Sequence, residues 1–570
     1  MLADFLRCKH KFRFDFYNNI TQISQKNPVF INISSTEINY IMERSFMAPQ
    51  GMVVTPHHLA TQSAVAILRE GGTAMEAMVA AAATIAVVYP HMNSIGGDGF
   101  WLIVPPHSDP VVIEACGAAG SLANVDFLAG EKTIPFRGIK AALTVPGTIG
   151  GWQEALNYVR ECGYQNMSVS RLLADAIRYA EDGFPVSVSL HHALIKAKDF
   201  EDNTETFKEI FLPNGIILKE GEKLYQKKLA GTLTKLSEQG LNSFYRGIVA
   251  DLIAEDMAAL NMAITRDDLV NYSAVRKTPL RMPHKKGDLY NLPPPTQGTV
   301  SLAILGMIDK LNVDGTDEGK FIHTTVEATK QAFKLRDQYL TDPNYMNVSN
   351  PQSLLSDKIL ENMVKNINPD IASSAGSGKV PGDTIWMGVM DNRGFSVSFI
   401  QSIYHQFGSG IVLPQTGITL HNRGTAFVLN QDHLRSLKPG KKPYHTLNPA
   451  AAKLHDGRVM IYGTRGGDGQ PQTQAAIFHR YVVQGLGLQK SVSSPRWVYG
   501  RTVGDMHDRL LLEDRFSKAT VEYLRKRGHE VVLLPSFSED VGQAGALVRH
   551  SNGMLEGAGD PRSDGNAAGF

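Results

Sequence analysis

Cysteine is nearly absent from this chain, with Cys8, Cys116 and Cys162 the only three in 570 residues. Three scattered thiols cannot build a disulfide framework or a cysteine-based metal site, and they point to a reducing, cytoplasmic setting. An excess of charge is missing too. The 57 Lys and Arg against 56 Asp and Glu leave a net charge of +1, so no basic field exists to hold a phosphate backbone and nucleic acid is not expected as a partner. No run of about 18 uncharged apolar residues occurs. The richest stretch, 77–90, is long enough only for a buried helix, and no membrane partner is expected. Residues 1–20 mix Asp4, Arg7, Lys9, Lys11, Arg13 and Asp15 into every apolar stretch, so no secretory h-region forms.

Metal and cofactor signatures are also lacking. His57-His58 and His191-His192 are adjacent pairs rather than the i, i+4 spacing that sets two ligands on one helix face. GSGKV (376–380) lacks the first glycine and the final hydroxyl of a phosphate loop. No G-x-S-x-G elbow appears. The reading therefore calls for no metal and no cofactor.

What is present is an ordinary globular composition, 43% hydrophobic and 20% charged. Residues 1–50 read as a polar N-terminal extension and 51–570 as one catalytic domain. Strands are expected at 51–55, at the end of the glycine-rich run 95–100, and at 111–115. Helices are expected at 57–70, 74–88, 168–182, 186–199, 226–239, 246–261, 296–311 and 321–340, with the whole of 150–290 helical in pattern. A polar stretch, 366–383, follows. The period then changes from 3.6 to 2, giving a hairpin of 385–390 and 395–400 around Asp391-Asn392-Arg393-Gly394. Further strands are expected at 425–429, 450–455, 458–463, 530–534 and 544–549, and helices at 471–486 and 515–528. Strands at both ends with helices between them predict an α+β layered fold.

Thr384 stands where the polar stretch ends and the first hairpin strand opens. If the bond before it were cut, the new α-amine, titrating near ~7.7, could take the threonine hydroxyl proton at neutral pH. By itself this position is equally that of a plain strand residue.

Several separated motifs change the balance: GGTAMEAMVAAAATIAVVYPHMNSIGGDGF (71–100), ALTVPGTIGGW (142–152), PPPTQG (293–298), EATKQAFKLRDQYLTDP (327–343), GDT with VMDNRGFSVSF (382–384, 389–399), FGSGI (407–411), GGDGQPQTQ (466–474) and GAGDPRSDG (557–565). In this order, over 51–570, they resemble the γ-glutamyltransferase family of N-terminal nucleophile hydrolases. The resemblance implies a four-layer αββα sandwich. It also implies a proenzyme cut between Asp383 and Thr384 into a large chain, 1–383, and a small chain, 384–570, that stay associated. Thr384 matches the nucleophile, Ser402 stands where the family has a supporting threonine, and Gly466 and Gly467 match the glycine pair near the oxyanion.

The departures bear on substrate. The arginine that grips a γ-glutamyl α-carboxylate is missing from Ile113-Glu114-Ala115-Cys116-Gly117-Ala118-Ala119, and Ala426 replaces the acid that takes the α-amine. Tyr404 replaces an asparagine, and His445-Thr446 replace paired serines. A buried γ-glutamyl ammonium would find no carboxylate here. Arg423, where the family has a neutral amide, instead suits a small acid with a carboxylate and no amine. Tyr404, His405, His445 and Thr446 are the companion candidates for substrate binding. This combination is similar to one branch of the family, the oxamate amidohydrolases, which implies hydrolysis of a small amide substrate. A glutathione hydrolase or γ-glutamyltransferase is the rival of like chemistry, and an unprocessed, inactive binding or scaffold member is the rival of another class. Oligomers are compatible with the sequence but not specified by it.

Overall fold

The computed structural model describes residues 44–164, 167–200, 204–374, 383–500 and 508–570. The extension 1–43, Cys8 within it, GSGKV and Pro381-Gly382 lie outside the described residues. Ser45–Phe570 forms one compact unit.

Two seven-stranded sheets make its centre. The first runs, in spatial order, Phe46–Ala48, Leu555–Gly559, Ala544–Arg549, Val459–Thr464, Ala450–Leu454, Gly287–Asn291 and Leu280–His284. The second runs Asn566–Gly569, Gly51–Thr55, Asp383–Asp391, Ser396–Tyr404, Asp98–Val104, Val111–Ala115 and Val275–Lys277. Neighbours in both pair antiparallel.

Alternation of side chains along these strands fixes the layers. Met52, Val54, Phe100, Leu102, Trp386, Met390, Ala451, Ile461 and Leu547 meet between the sheets. Their sequence neighbours Val53, Trp101, Ile103, Met387 and Val389 face the other way, into a core shared with the helices His58–Arg69 and Ala74–Val88. On the far side, Leu289, Ala450, Ala452, Met460, Ala546 and Val548 pack under the helices Gly298–Lys310, Glu318–Tyr339 and Gln470–Phe478. The order is helix, sheet, sheet, helix, the α+β sandwich expected.

Ala74–Val88 is buried on all sides, and its small side chains let neighbours approach from every direction. A reciprocal cap starts it, with Thr73 Oγ1 accepting from Glu76 N and Glu76 Oε2 accepting from Thr73 N at 2.8 Å. Trp386, two residues beyond Thr384, lies in a bed of glycines. A Cβ on Gly463 would come within 2.1 Å of its ring and one on Gly545 within 2.4 Å. The strand that opens at Asp383 is thereby anchored by its Trp386 side chain against the facing sheet.

Two expectations are corrected. The helical pattern of 150–290 conceals five strands, the short pair Phe184–Pro185 and Lys223–Leu224 and, at its end, Val275–Lys277, Leu280–His284 and Gly287–Asn291. The strand expected at 425–429 is instead a 3-10 turn, Arg423–Ala426. Thr425 N donates to Asn422 O and Phe427 N to Gly424 O, so the backbone groups a strand would offer are spent locally.

Candidate active site

Thr384 is buried at the head of its strand, and its Oγ1 lies 3.0 Å from Ser402 Oγ on the paired strand. A bulge between Asp383 and Ile385 places Asp383 opposite Tyr404, and such bulges re-aim a side chain at a strand end. Ser402 Oγ also accepts from Tyr404 N at 2.9 Å. Tyr404 holds a positive φ of 79° without being glycine, a strained backbone of the kind that gathers at functional sites.

Over the Tyr404 ring sits Arg423, its guanidinium carbon 3.7 Å from the centroid. Arg423 is 2% exposed, Nη1 has no hydrogen-bond partner, and no carboxylate pairs with it among the described residues. Burial pulls its pKa down from the ordinary value, with Tyr404 and Asp98 opposing that pull. A buried cation without a counter-ion is costly unless an anion arrives. Burial also raises the Tyr404 phenol, against the lowering effect of Arg423.

His445 is buried against Phe100, ring centroids 4.9 Å apart, and neither ring nitrogen has a hydrogen-bond partner among the described residues. Burial, then Arg423, His421 and Lys442, hold it well below the usual imidazole range, hence neutral. Thr446 Oγ1 is likewise buried and unpartnered. The Thr446 carbonyl and the Gly467 carbonyl both accept from Gln297 Nε2, at 2.5 and 2.8 Å, which ties the His445-Thr446 loop to the glycine pair. Gly466 and Gly467 have φ of 119° and 52°, left-handed values that favour glycine. Neither amide donates a hydrogen bond among the described residues, as an oxyanion site requires.

His405 lies in a half-buried aromatic stack, its ring 4.1 Å from that of Tyr404 and 4.2 Å from that of Phe136. Asp98 and His421, which the sequence reading left unassigned, stand inside the site. Asp98 faces Ser402 across the sheet, and its Oδ2 is 3.1 Å from His421 Nδ1. The signal available was the acid in the IGGDGF run, but nothing in spacing links it to His421.

Among the described residues one grouping could offer metal ligands: His323, Glu327 and His529, with ligand atoms within 4.8 Å of one another. Their hydrogen bonds account for them otherwise. His323 Nδ1 meets His529 Nε2 at 2.8 Å, and Glu327 accepts from Lys330 Nζ at 2.7 Å and Ser373 N at 3.1 Å.

Comparison with known proteins identifies the family of the chain. The profile described as Gamma-glutamyltranspeptidase matches residues 60–570. The chain belongs to the gamma-glutamyltranspeptidase family. Within it, the chain is 56% identical to an oxamate amidohydrolase proenzyme of Klebsiella pneumoniae subsp. pneumoniae, over 93% of this chain and 100% of that one. It is 36% identical to a glutathione hydrolase-like proenzyme, YwrD, of Bacillus subtilis, again over 93% and 100%. Among solved structures, cephalosporin acylase from Bacillus halodurans superposes with a TM-score of 0.85 at 30% identity, over 96% of this chain and 99% of that one. The gamma-glutamyltranspeptidase fold accordingly extends over nearly the whole chain. No helix among the described residues is long and apolar enough to cross a membrane.

Proposed function

We propose that this chain is a self-processing amidohydrolase that cuts before Thr384 and hydrolyses oxamate to oxalate and ammonia. The observation that carries the substrate reading is Arg423, a buried guanidinium with no carboxylate partner among the described residues, lying over Tyr404, whose backbone N donates to the Ser402 hydroxyl beside Thr384. In the intact chain Thr384 N belongs to a peptide bond. Cleavage turns it into an amine able to take the Oγ1 proton. Oγ1 then attacks the amide carbonyl while Gly466 and Gly467 amides receive the oxyanion. Ammonia leaves with the proton, and water hydrolyses the oxalyl ester, restoring the hydroxyl. Arg423 holds the adjacent carboxylate, Tyr404 shelves the guanidinium, and His445 and Thr446 complete the pocket. The relative named for oxamate supports this choice.

The glutathione-hydrolase rival meets Ala115 at the end of its strand and Ala426 in the turn, where a γ-glutamyl clamp needs an arginine and an acid. The two chains would remain together, because the second sheet interleaves strands from both sides of position 384. The free thiols of Cys116 and Cys162 suit a reducing cytoplasm.

Ammonia release from oxamate, compared with anilide release from a γ-glutamyl anilide, tests the reading. Release from oxamate is expected, and activity on the anilide alone overturns it. A single full-length species in a denaturing mass spectrum after long incubation would instead favour the inactive-scaffold rival.

A further inference from the structure

Three loops converge on the carboxylate of Asp98, which is 1% exposed. The glycines before it permit this. A Cβ on Gly96 would come within 2.3 Å of Thr419 O, and one on Gly97 within 2.2 Å of Ser402 O. His421 N donates to Gly96 O at 3.1 Å, which zips the Arg423 loop onto the same turn. Asp98 Oδ1 accepts weakly from Gly117 N at 3.4 Å. Oδ2 lies 3.1 Å from His421 Nδ1 and 3.8 Å from His445 Nε2, with neither ring yet on the hydrogen-bond line.

The other side of His421 bears on its hydrogens. Nε2 is 2.8 Å from Thr144 O and 3.1 Å from Thr144 Oγ1; the nearer carbonyl oxygen only accepts, which favours the tautomer with a hydrogen on Nε2. A bare Nδ1 would then set a lone pair against the Asp98 carboxylate. A hydrogen on one of these two atoms, directed at the other, removes that repulsion. Either placement leaves Oδ2 a lone pair for the second histidine. His445, neutral and with neither ring nitrogen hydrogen-bonded, is the group facing it, 3.8 Å away.

We propose that Asp98, braced by His421, is a positioning residue that takes the Nε2 hydrogen of His445 and leaves Nδ1 as a pure acceptor for the substrate. An acceptor nitrogen reads the N–H of a primary amide and repels the oxygens of a carboxylate. The pocket thereby separates its amide substrate from its dicarboxylate product, two molecules of nearly equal size. This rests on the amidohydrolase reading of the Thr384 site.

The test uses processed enzyme and compares KM for oxamate with the inhibition constant of oxalate. In Asp98→Asn the new amide can donate to His445, reverse its tautomer and present N–H where the acceptor stood. The ratio of oxalate to oxamate affinity is expected to shift toward oxalate by about tenfold, the size of one hydrogen bond made or opposed. His445→Gln, able to donate or accept by rotation, should lose the discrimination while Asp98 is intact. His421→Asn should reproduce part of the Asp98→Asn effect. A merely structural role would lower the Tm and the yield of cleaved protein but leave the ratio unchanged, and an unchanged ratio in both Asp98→Asn and His445→Gln overturns the proposal. A wild-type enzyme that releases no ammonia from oxamate fails the parent reading instead. Calorimetric titration with oxamate and with oxalate then judges the pair, since binding needs no turnover.

Discussion

Two buried polar clusters in this molecule use the same residue types in opposite ways. On the helix Glu318–Tyr339, His323 meets His529 and the Asn368 carbonyl, Glu327 meets Lys330 and Ser373 N, and Lys330 also reaches Ser373 O at 2.7 Å. Around Thr384, Arg423 Nη1, both nitrogens of His445, Thr446 Oγ1 and the amides of Gly466 and Gly467 have no hydrogen-bond partner among the described residues. Satisfied polar groups rigidify a core, whereas unsatisfied ones cost free energy that folding alone does not return. The first cluster is explained by stability. The second is explained only by a molecule that completes it.

The contrast predicts that changes in the second cluster remove activity and changes in the first remove stability. Thr384→Ala should leave an uncut precursor and reduce amide hydrolysis to background, a fall of roughly four orders of magnitude or more, read by mass and ammonia release. Lys330→Met strands the Glu327 carboxylate in the core and should cost about 3–5 kcal/mol in denaturant unfolding, with kcat/KM of the folded fraction unchanged. Loss of activity without loss of stability there would break the comparison. Arg423→Ala should lower kcat/KM for oxamate by about 2–3 kcal/mol of transition-state binding, roughly 30- to 150-fold, while cleavage proceeds. Unchanged kinetics would dismiss Arg423 as the anchor.

Acid should weaken the fold through histidines buried as neutral rings. Burial lowers both His57 and His529 to about 3, against about 6.5 in an unfolded chain. The unfolded state therefore binds the extra protons. The stability from neutral burial is whole above pH 6.5 and declines as pH falls, by about 2 kcal/mol per histidine at pH 5. Urea midpoints measured between pH 7.5 and 5 should fall accordingly, and His529→Gln should flatten the slope. The smallest effect is expected of Ser402→Ala, which removes one neutral hydrogen bond from Thr384, worth about 1 kcal/mol, and should slow processing and turnover several-fold in a time course.

Much of this was legible in the sequence. The hairpin after Thr384, the buried Ala74–Val88 helix and the two-layer alternation follow from local periodicity, and the motifs carried the nucleophile and the glycine pair. The strands of 275–291 were not legible, because Val275–Lys277 is only three residues long and Leu280–His284, although it alternates buried and exposed, carries Pro283, which reads as a strand breaker. The turn at Arg423–Ala426 hid in a sequence, TAFVL, that suits a strand. Asp98 and His421 are brought together at the Gly96–Leu420 bridge, a tertiary contact over more than 300 positions that no spacing rule anticipates.

The interleaving of the second sheet has a consequence for how the enzyme can be made and unmade. Strands 51–55 and 98–104 from one side of position 384 flank the hairpin 383–404 from the other. While the chain is continuous, the hairpin finds its neighbours by an intramolecular search. Once the bond is cut, the same sheet can re-form only through a bimolecular encounter between two incomplete halves, each exposing unpaired strand edges. Folding and cutting therefore have an obligatory order. The mature protein should persist by slow unfolding rather than by returning to equilibrium, and a denatured mature sample should aggregate where the denatured precursor refolds.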